Sequence, residues 1–130
     1  MILAIRSDSA EATIILADDD GEVIIQETWL AGRRLSQELL PKMKQLLENN
    51  SSSWNDITGL VAFEGPGSFT GLRIGLTTAN AVAYSRQVPV VAAGGEDWLV
   101  DGASLIANGE GEQIALPVYG AEPNITRPKR

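Results

Sequence analysis

Met1 to Ile5 is an unbroken apolar run, the pattern of a strand buried on both faces. Ser7-Asp8-Ser9 follows as turn chemistry. Two runs rich in β-branched residues come next, Ala10 to Ala17 (AEATIILA) and Glu22 to Thr28 (EVIIQET). Between them stands Asp18-Asp19-Asp20-Gly21, and Asp-Gly between two such runs predicts a hairpin. The chain therefore opens with three strands, the second and third antiparallel.

The period then changes. Leu35, Leu39, Leu40, Met43, Leu46 and Leu47 recur at helical spacing, with Ser36 placed to cap the start and Pro41 expected to kink the helix or fall in its first turns. Asn49 to Ser53 is a polar loop, Gly59 to Phe63 a strand, and Gly65-Pro66-Gly67-Ser68 a tight loop. A second helix is predicted over Thr70–Arg86, a fifth strand over Val88–Ala93 with Pro89 at its start, and a third helix over Glu96–Ala107, weakened by Gly102. The order βββ-α-β-α-β-α implies a mixed five-stranded sheet with helices packed on it, because a parallel crossover needs a helix and is right-handed. From Asn108 onward glycine and proline punctuate a tail with one apolar patch, Ile114 to Tyr119, and a basic end, Arg127-Pro128-Lys129-Arg130.

Composition narrows the chemistry. The 130 residues contain no Cys and no His, which removes disulfides, thiolate zinc sites, cysteine nucleophiles and any triad built on imidazole. A metal would need hard carboxylate ligands, and neither metal nor cofactor is expected. Ten Lys and Arg against 17 Asp and Glu give a net charge of −7, which disfavours autonomous nucleic-acid binding. No apolar run approaches the ~20 residues of a membrane span, and the N-terminus lacks a basic segment before its apolar run. A cytoplasmic protein of one domain is the expectation.

Glu64 to Gly75 carries the most information. It leaves a strand, turns on two glycines and a proline, and enters a helix, where backbone N–H groups attract anions. It lacks the phosphate-loop pattern, however, and misses the dinucleotide fingerprint by one position, with Thr70 where the third glycine belongs. The alternative is a tight turn capped by Ser68 or Thr70. Beyond it Gly71, Gly75, Ala79 and Ala83 recur every four residues, a ridge without bulk that admits close approach. The approaching element is either the chain's own sheet and first helix or a helix of another subunit.

Read as GPGSFTGLRIG, Gly65 to Gly75 resembles the signature of the TsaB family, also called YeaZ. The similarity extends to Ile2-Leu3-Ala4-Ile5, to Arg34 through Pro41, to Val88-Pro89-Val90-Val91, and to Pro117-Val118-Tyr119 with Pro123-Asn124-Ile125 in the tail. The resemblance implies an actin-like ATPase, or ribonuclease-H-like, half-domain. It also implies a non-catalytic subunit in the synthesis of threonylcarbamoyladenosine (t6A) in tRNA. Such a subunit pairs with a homologous catalytic subunit, TsaD, through its first two helices, and a small ATPase, TsaE, joins the assembly. The residues expected at that interface are Leu39, Met43, Gly71, Leu72, Gly75, Leu76 and Ala79. A homodimer is expected when the partner is absent, and tRNA is expected to be met only through the complex.

Two departures from the family pattern matter. Arg6 stands where the family typically carries an Asp after the first strand, which argues against ATP hydrolysis, with Asp8 two residues on. The family's usual second domain is missing between the third helix and the tail, giving an expected domain at 1–107 and a tail at 108–130. A different class of function on the same fold is a metal-dependent phosphoryl-transfer or nuclease enzyme, for which Asp8, Glu11, Glu64 and Glu96 would have to converge. Asp18 to Asp20 reads as a solvated hairpin turn, and Trp29, Trp54 and Trp98 as core or edge residues. Arg33-Arg34 is the one basic cluster before the tail.

Overall fold

The computed structural model describes residues 1–110. Three strands come first, β1 (Ile2–Arg6), β2 (Glu11–Ala17) and β3 (Val23–Leu30). Helix α1 (Leu35–Asn49) follows, then β4 (Gly59–Phe63), α2 (Phe69–Arg86), β5 (Val90–Ala93) and α3 (Trp98–Ala107). Among the described residues the strands form one sheet in the order β3-β2-β1-β4-β5. β1–β2 and β2–β3 are antiparallel, and β1–β4 and β4–β5 are parallel. The mixed sheet read from the sequence is the one observed. The tail patch Ile114–Tyr119 and the basic end lie outside the described residues.

Alternation along the strands sorts side chains onto two faces. Leu3, Ile5, Ile14, Leu16, Leu60 and Ala62 point to the face covered by α1 and α2. Ile2, Ala4, Val61 and Phe63 point to the face covered by α3, where they meet Trp98, Leu99 and Ala103. β1 is buried on both faces, as its unbroken apolar run predicts.

Local chemistry sets the element ends, with three departures from expectation. Ser36 does not cap α1, because a 3-10 turn at Gly32–Arg34 precedes the helix and carries the chain into it. Pro41 lies inside α1 on an exposed position and the helix runs through it. Pro89 sits before β5 and not in it, its carbonyl accepting from the Leu60 N–H at 3.0 Å. Gly102 has a packing reason for its place in α3, since a Cβ there would lie 2.4 Å from Val61 Cγ1.

A polar clamp ties the edge strand β3 to α1. The Trp29 indole N–H donates to Glu38 Oε1 at 3.0 Å, and the Arg34 guanidinium pairs with Glu38 Oε2 at 2.9 Å. Lys42 Nζ reaches Glu27 at 2.7 Å. The hydrogen bonds from Arg34 and then Trp29 hold the Glu38 carboxyl below the usual carboxylate range. A depressed folded-state pKa means the clamp's contribution is present above the unfolded-state value and is lost as pH falls through the folded one. In an NMR titration the Trp29 indole N–H should therefore shift with an apparent pKa below the ordinary glutamate range, and Glu38→Gln should abolish the step. A transition at the ordinary glutamate value would contradict the clamp.

Candidate functional site

The end of β1 and the loop entering α2 are built against each other. Arg6, the last residue of β1, pairs through Nε with Asp8 Oδ1 at 3.0 Å and donates from Nη2 to Asp8 Oδ2 at 3.3 Å. Its guanidinium lies 4.0 Å from the Phe63 ring centroid, and Phe63 meets Trp98 edge-on at 5.7 Å. Asp8 also anchors the loop, its carbonyl accepting from the Ser68 N–H at 2.8 Å. Ser68, not Thr70, caps α2, its Oγ accepting from the Gly71 N–H at 3.3 Å.

This geometry gives the loop a structural use. Ser68 Oγ accepts from one of the α2 N-terminal amides, and the Ser68 N–H is held by the Asp8 carbonyl. Asp8, the carboxylate nearest the end of β1, is engaged bidentately by Arg6. Among the described residues no group of three or more acidic side chains is placed to hold a metal ion, so Asp8, Glu11, Glu64 and Glu96 do not form a two-metal site.

The small-residue ridge faces inward. A Cβ built on Gly71 would lie 2.4 Å from the Ser7 carbonyl oxygen, and one on Gly75 would lie 2.2 Å from Ser7 Oγ. Ser7 itself is buried, and its hydroxyl donates to the Gly71 carbonyl at 2.7 Å. The close approach is thus that of α2 to the chain's own first strand. Leu39, Met43, Leu76 and Ala79 belong to the core between the helices and the sheet, all 3% exposed or less. Leu72 is buried at the edge of the other core, with Trp98 and Phe63. Leu39, Met43, Gly71, Leu72, Gly75, Leu76 and Ala79, the residues expected at a partner interface, pack within the chain itself. A helical stripe marks a packed face without saying whose atoms pack on it.

The outer surface of the same two helices carries a different set. Leu40 on α1 and Phe69 and Tyr84 on α2 are 49%, 51% and 79% exposed, among the largest apolar side chains left in solvent. Leu40, Trp54, Ala81, Val82, Ser85 and Arg86 line a groove of about 280 Å³. A second, more polar groove of about 300 Å³ lies where α1 and α2 begin, lined by Ser36, Thr70, Arg73, Ile74, Thr77 and Thr78. The signal for Leu40 was present in the sequence, since it stands one position off the Leu39–Met43 stripe and so turns ~100° away from it.

The remaining candidates are local. Asp18 Oδ1 accepts from the Asp20 and Glu22 amides, both at 2.9 Å, which makes the acidic run a hairpin turn. Trp29, Trp54 and Trp98 all pack against core clusters. No helix among the described residues is long and apolar enough to cross a membrane.

A three-stranded antiparallel opening, two parallel crossovers and helices on both faces define the actin-like, ribonuclease-H-like class of half-domain. Residues 27–118 match the family model described as TsaD, tRNA N6-adenosine threonylcarbamoyltransferase. The tRNA threonylcarbamoyladenosine biosynthesis protein TsaB of Escherichia coli (strain K12) is 36% identical over 90 residues, 69% of this chain and 38% of that protein. The TsaB protein of Bacillus subtilis (strain 168) is 30% identical over 121 residues, 92% of this chain and 50% of that protein. The solved structure of YeaZ from Pseudomonas aeruginosa superposes with a TM-score of 0.64 at 26% identity, covering 72% of this chain and 43% of that one. The chain belongs to the TsaB/YeaZ family. It spans between 38% and 50% of the length of these curated relatives.

Proposed function

We propose that this chain is a non-catalytic scaffold subunit of the t6A modification machinery of tRNA. In this reading it works in the cytoplasm and docks a TsaD-like catalytic subunit on the outer surface of α1 and α2. A TsaE-like ATPase joins the assembly, and tRNA is met through the complex. The observation that carries the reading is the groove lined by Leu40, Trp54 and Ala81, with Leu40 half exposed, on the outer side of the same two helices the family resemblance points to. Apolar side chains grouped around a groove are what a docking helix covers. Catalysis in this chain has no comparable support: Asp8, one of the four carboxylates such an enzyme would call on, is paired with Arg6.

The test is co-expression of the full chain with the threonylcarbamoyltransferase from the same genome. A stable complex in size-exclusion chromatography supports the reading. Two proteins eluting apart at micromolar concentration, with the chain folded by circular dichroism, would sink it.

A further inference from the structure

On the face of the sheet away from α1 and α2, α3 leaves one corner uncovered, and that corner is apolar. A row of paired residues crosses this face: Gly59 of β4, Ile2 of β1, Ala17 of β2 and Val23 of β3. The last turn of α3 covers the start of the row, with Ile106 Cδ1 2.8 Å from where a Gly59 Cβ would stand. Ile2 and Ala17 are buried, and Val23 at the far end is half exposed. Ile24 joins it. The β2–β3 pairing shifts there, with Leu16 opposite Ile25 and Ala17 opposite Val23, and Ile24 is the extra residue of the bulge. Ile25 packs on the α1 and α2 side, so Ile24 turns to the other face. Val100 of α3 stands at the same corner, its Cα 3.0 Å from where a Cβ on Gly21 of the hairpin turn would be. Val23, Ile24 and Val100 are all about half exposed, a grouping of apolar surface that soluble domains generally cover.

The sequence that leaves α3 holds a segment of matching chemistry. Residues 111–130 contain one apolar run, Ile114-Ala115-Leu116-Pro117-Val118-Tyr119. The chain reaches Glu110 beside the last turn of α3, where the Glu110 N–H donates to the Leu105 carbonyl at 2.8 Å. From Gly59 to Val23 the row crosses three strand spacings, about 14 Å. Four residues of extended chain, from Glu110 to Ile114, span up to about the same distance, ~14 Å. The run is therefore within reach of the corner. A tether this short gives an effective concentration in the millimolar range, which a second copy in dilute solution does not match. Charge agrees, since the hairpin beside the corner carries Asp18, Asp19, Asp20 and Glu22 and the residues after the run include Arg127, Lys129 and Arg130.

We infer that Val23, Ile24 and Val100 are the seat of the chain's own Ile114–Tyr119 segment, which closes the corner that α3 leaves open. The inference is independent of the docking proposed on α1 and α2. The seat lies on the opposite face of the sheet, so filling it leaves the outer surface of those helices clear.

The test uses the absence of cysteine, because two introduced thiols then report only on each other. In the full chain, Val100→Cys is combined with a second thiol at Ala115→Cys or Val118→Cys, and disulfide formation is followed at micromolar protein. The comparison is Asp101→Cys with the same partners, an exposed position on the same helix turned ~100° from Val100. The faster Val100 pair should close within one molecule at least tenfold faster than either Asp101 pair. Adding Val23→Asp should bring its rate down to theirs, with Ile24→Ser used instead if Val23→Asp does not fold by circular dichroism. Equal rates at the two helix positions would overturn the inference, since a segment that is only tethered reaches both. A disulfide that forms only between molecules, and slows on dilution, would assign the corner to a second copy and overturn it too. Fast closure untouched by the change in β3 would place the segment on α3 without the seat and would equally contradict it.

Discussion

Gly71→Ala should cost the fold about 2–4 kcal/mol, although alanine is the better helix former by ~1 kcal/mol. The reason is geometric. The new methyl would sit 2.4 Å from a backbone oxygen, that of Ser7, which cannot rotate away as a side-chain tip can. Relief requires α2 to shift off β1, and that stretches the 2.7 Å hydrogen bond from Ser7 to the Gly71 carbonyl. Overpacking costs roughly 1–3 kcal/mol, and a buried hydroxyl left without its partner costs roughly 1–3 more. Gly75→Ala should be milder, because its clash is with Ser7 Oγ, a rotatable atom, and removal of that oxygen in a Gly75→Ala/Ser7→Ala pair should recover part of the loss. Gly75→Leu, by contrast, should not fold, since several heavy atoms would have to enter occupied space and total stability for a domain is only about 5–15 kcal/mol. Urea denaturation of the alanine variants checks this. A Gly71→Ala protein more stable than wild type would mean that α2 does not rest on β1 as described.

Replacing Leu40 and Ala81 together by glutamine should leave the fold intact and weaken partner binding by about 30-fold or more, the loss expected from a central contact of ~2 kcal/mol or above. Leu40 is half exposed and Ala81 is exposed, and both line the outer groove, so neither change opens a cavity in the core. Surface changes of this kind usually move stability by no more than ~0.5 kcal/mol. Glutamine is a good helix former and carries no charge, so the change removes apolar contact without adding an ionic one. The contrast with the glycine variants is the point. Gly75→Leu would also lose the partner, but by unfolding, and would say nothing about where the partner sits.

The sequence carried the architecture because each element declares its own period. The unbroken apolar β1 is buried along its length, the Asp-Gly turn joins β2 to β3 as a hairpin, and the leucine stripe of α1 is buried except at Leu40. The glycine run was legible as a close approach, but the identity of the approaching element was not. Gly71 and Gly75 meet Ser7, more than sixty positions away in the chain, and only the parallel pairing of β1 with β4 brings α2 over it. The same limit applies to Leu39 and Leu40. Both are leucines on one predicted helix, and the ~100° between them decides that one is core and the other surface. The Ser36 cap failed for a local reason: Gly32–Arg34 forms a 3-10 turn that starts the helical path before Ser36 is reached. The Arg6–Asp8–Phe63 cluster was half visible, as an arginine where a carboxylate is usual. The ring beneath the guanidinium comes from β4 and is fixed by the sheet.

The measurement that bears most directly on the account is calorimetric titration of the full chain into the threonylcarbamoyltransferase from the same genome, for wild type and for the Leu40→Gln/Ala81→Gln variant. Wild type should bind one to one, and the variant, equally stable in urea, should bind about 30-fold more weakly or not at all. Equal affinity for the two proteins would contradict the claim that the outer surface of α1 and α2 is where this subunit does its work.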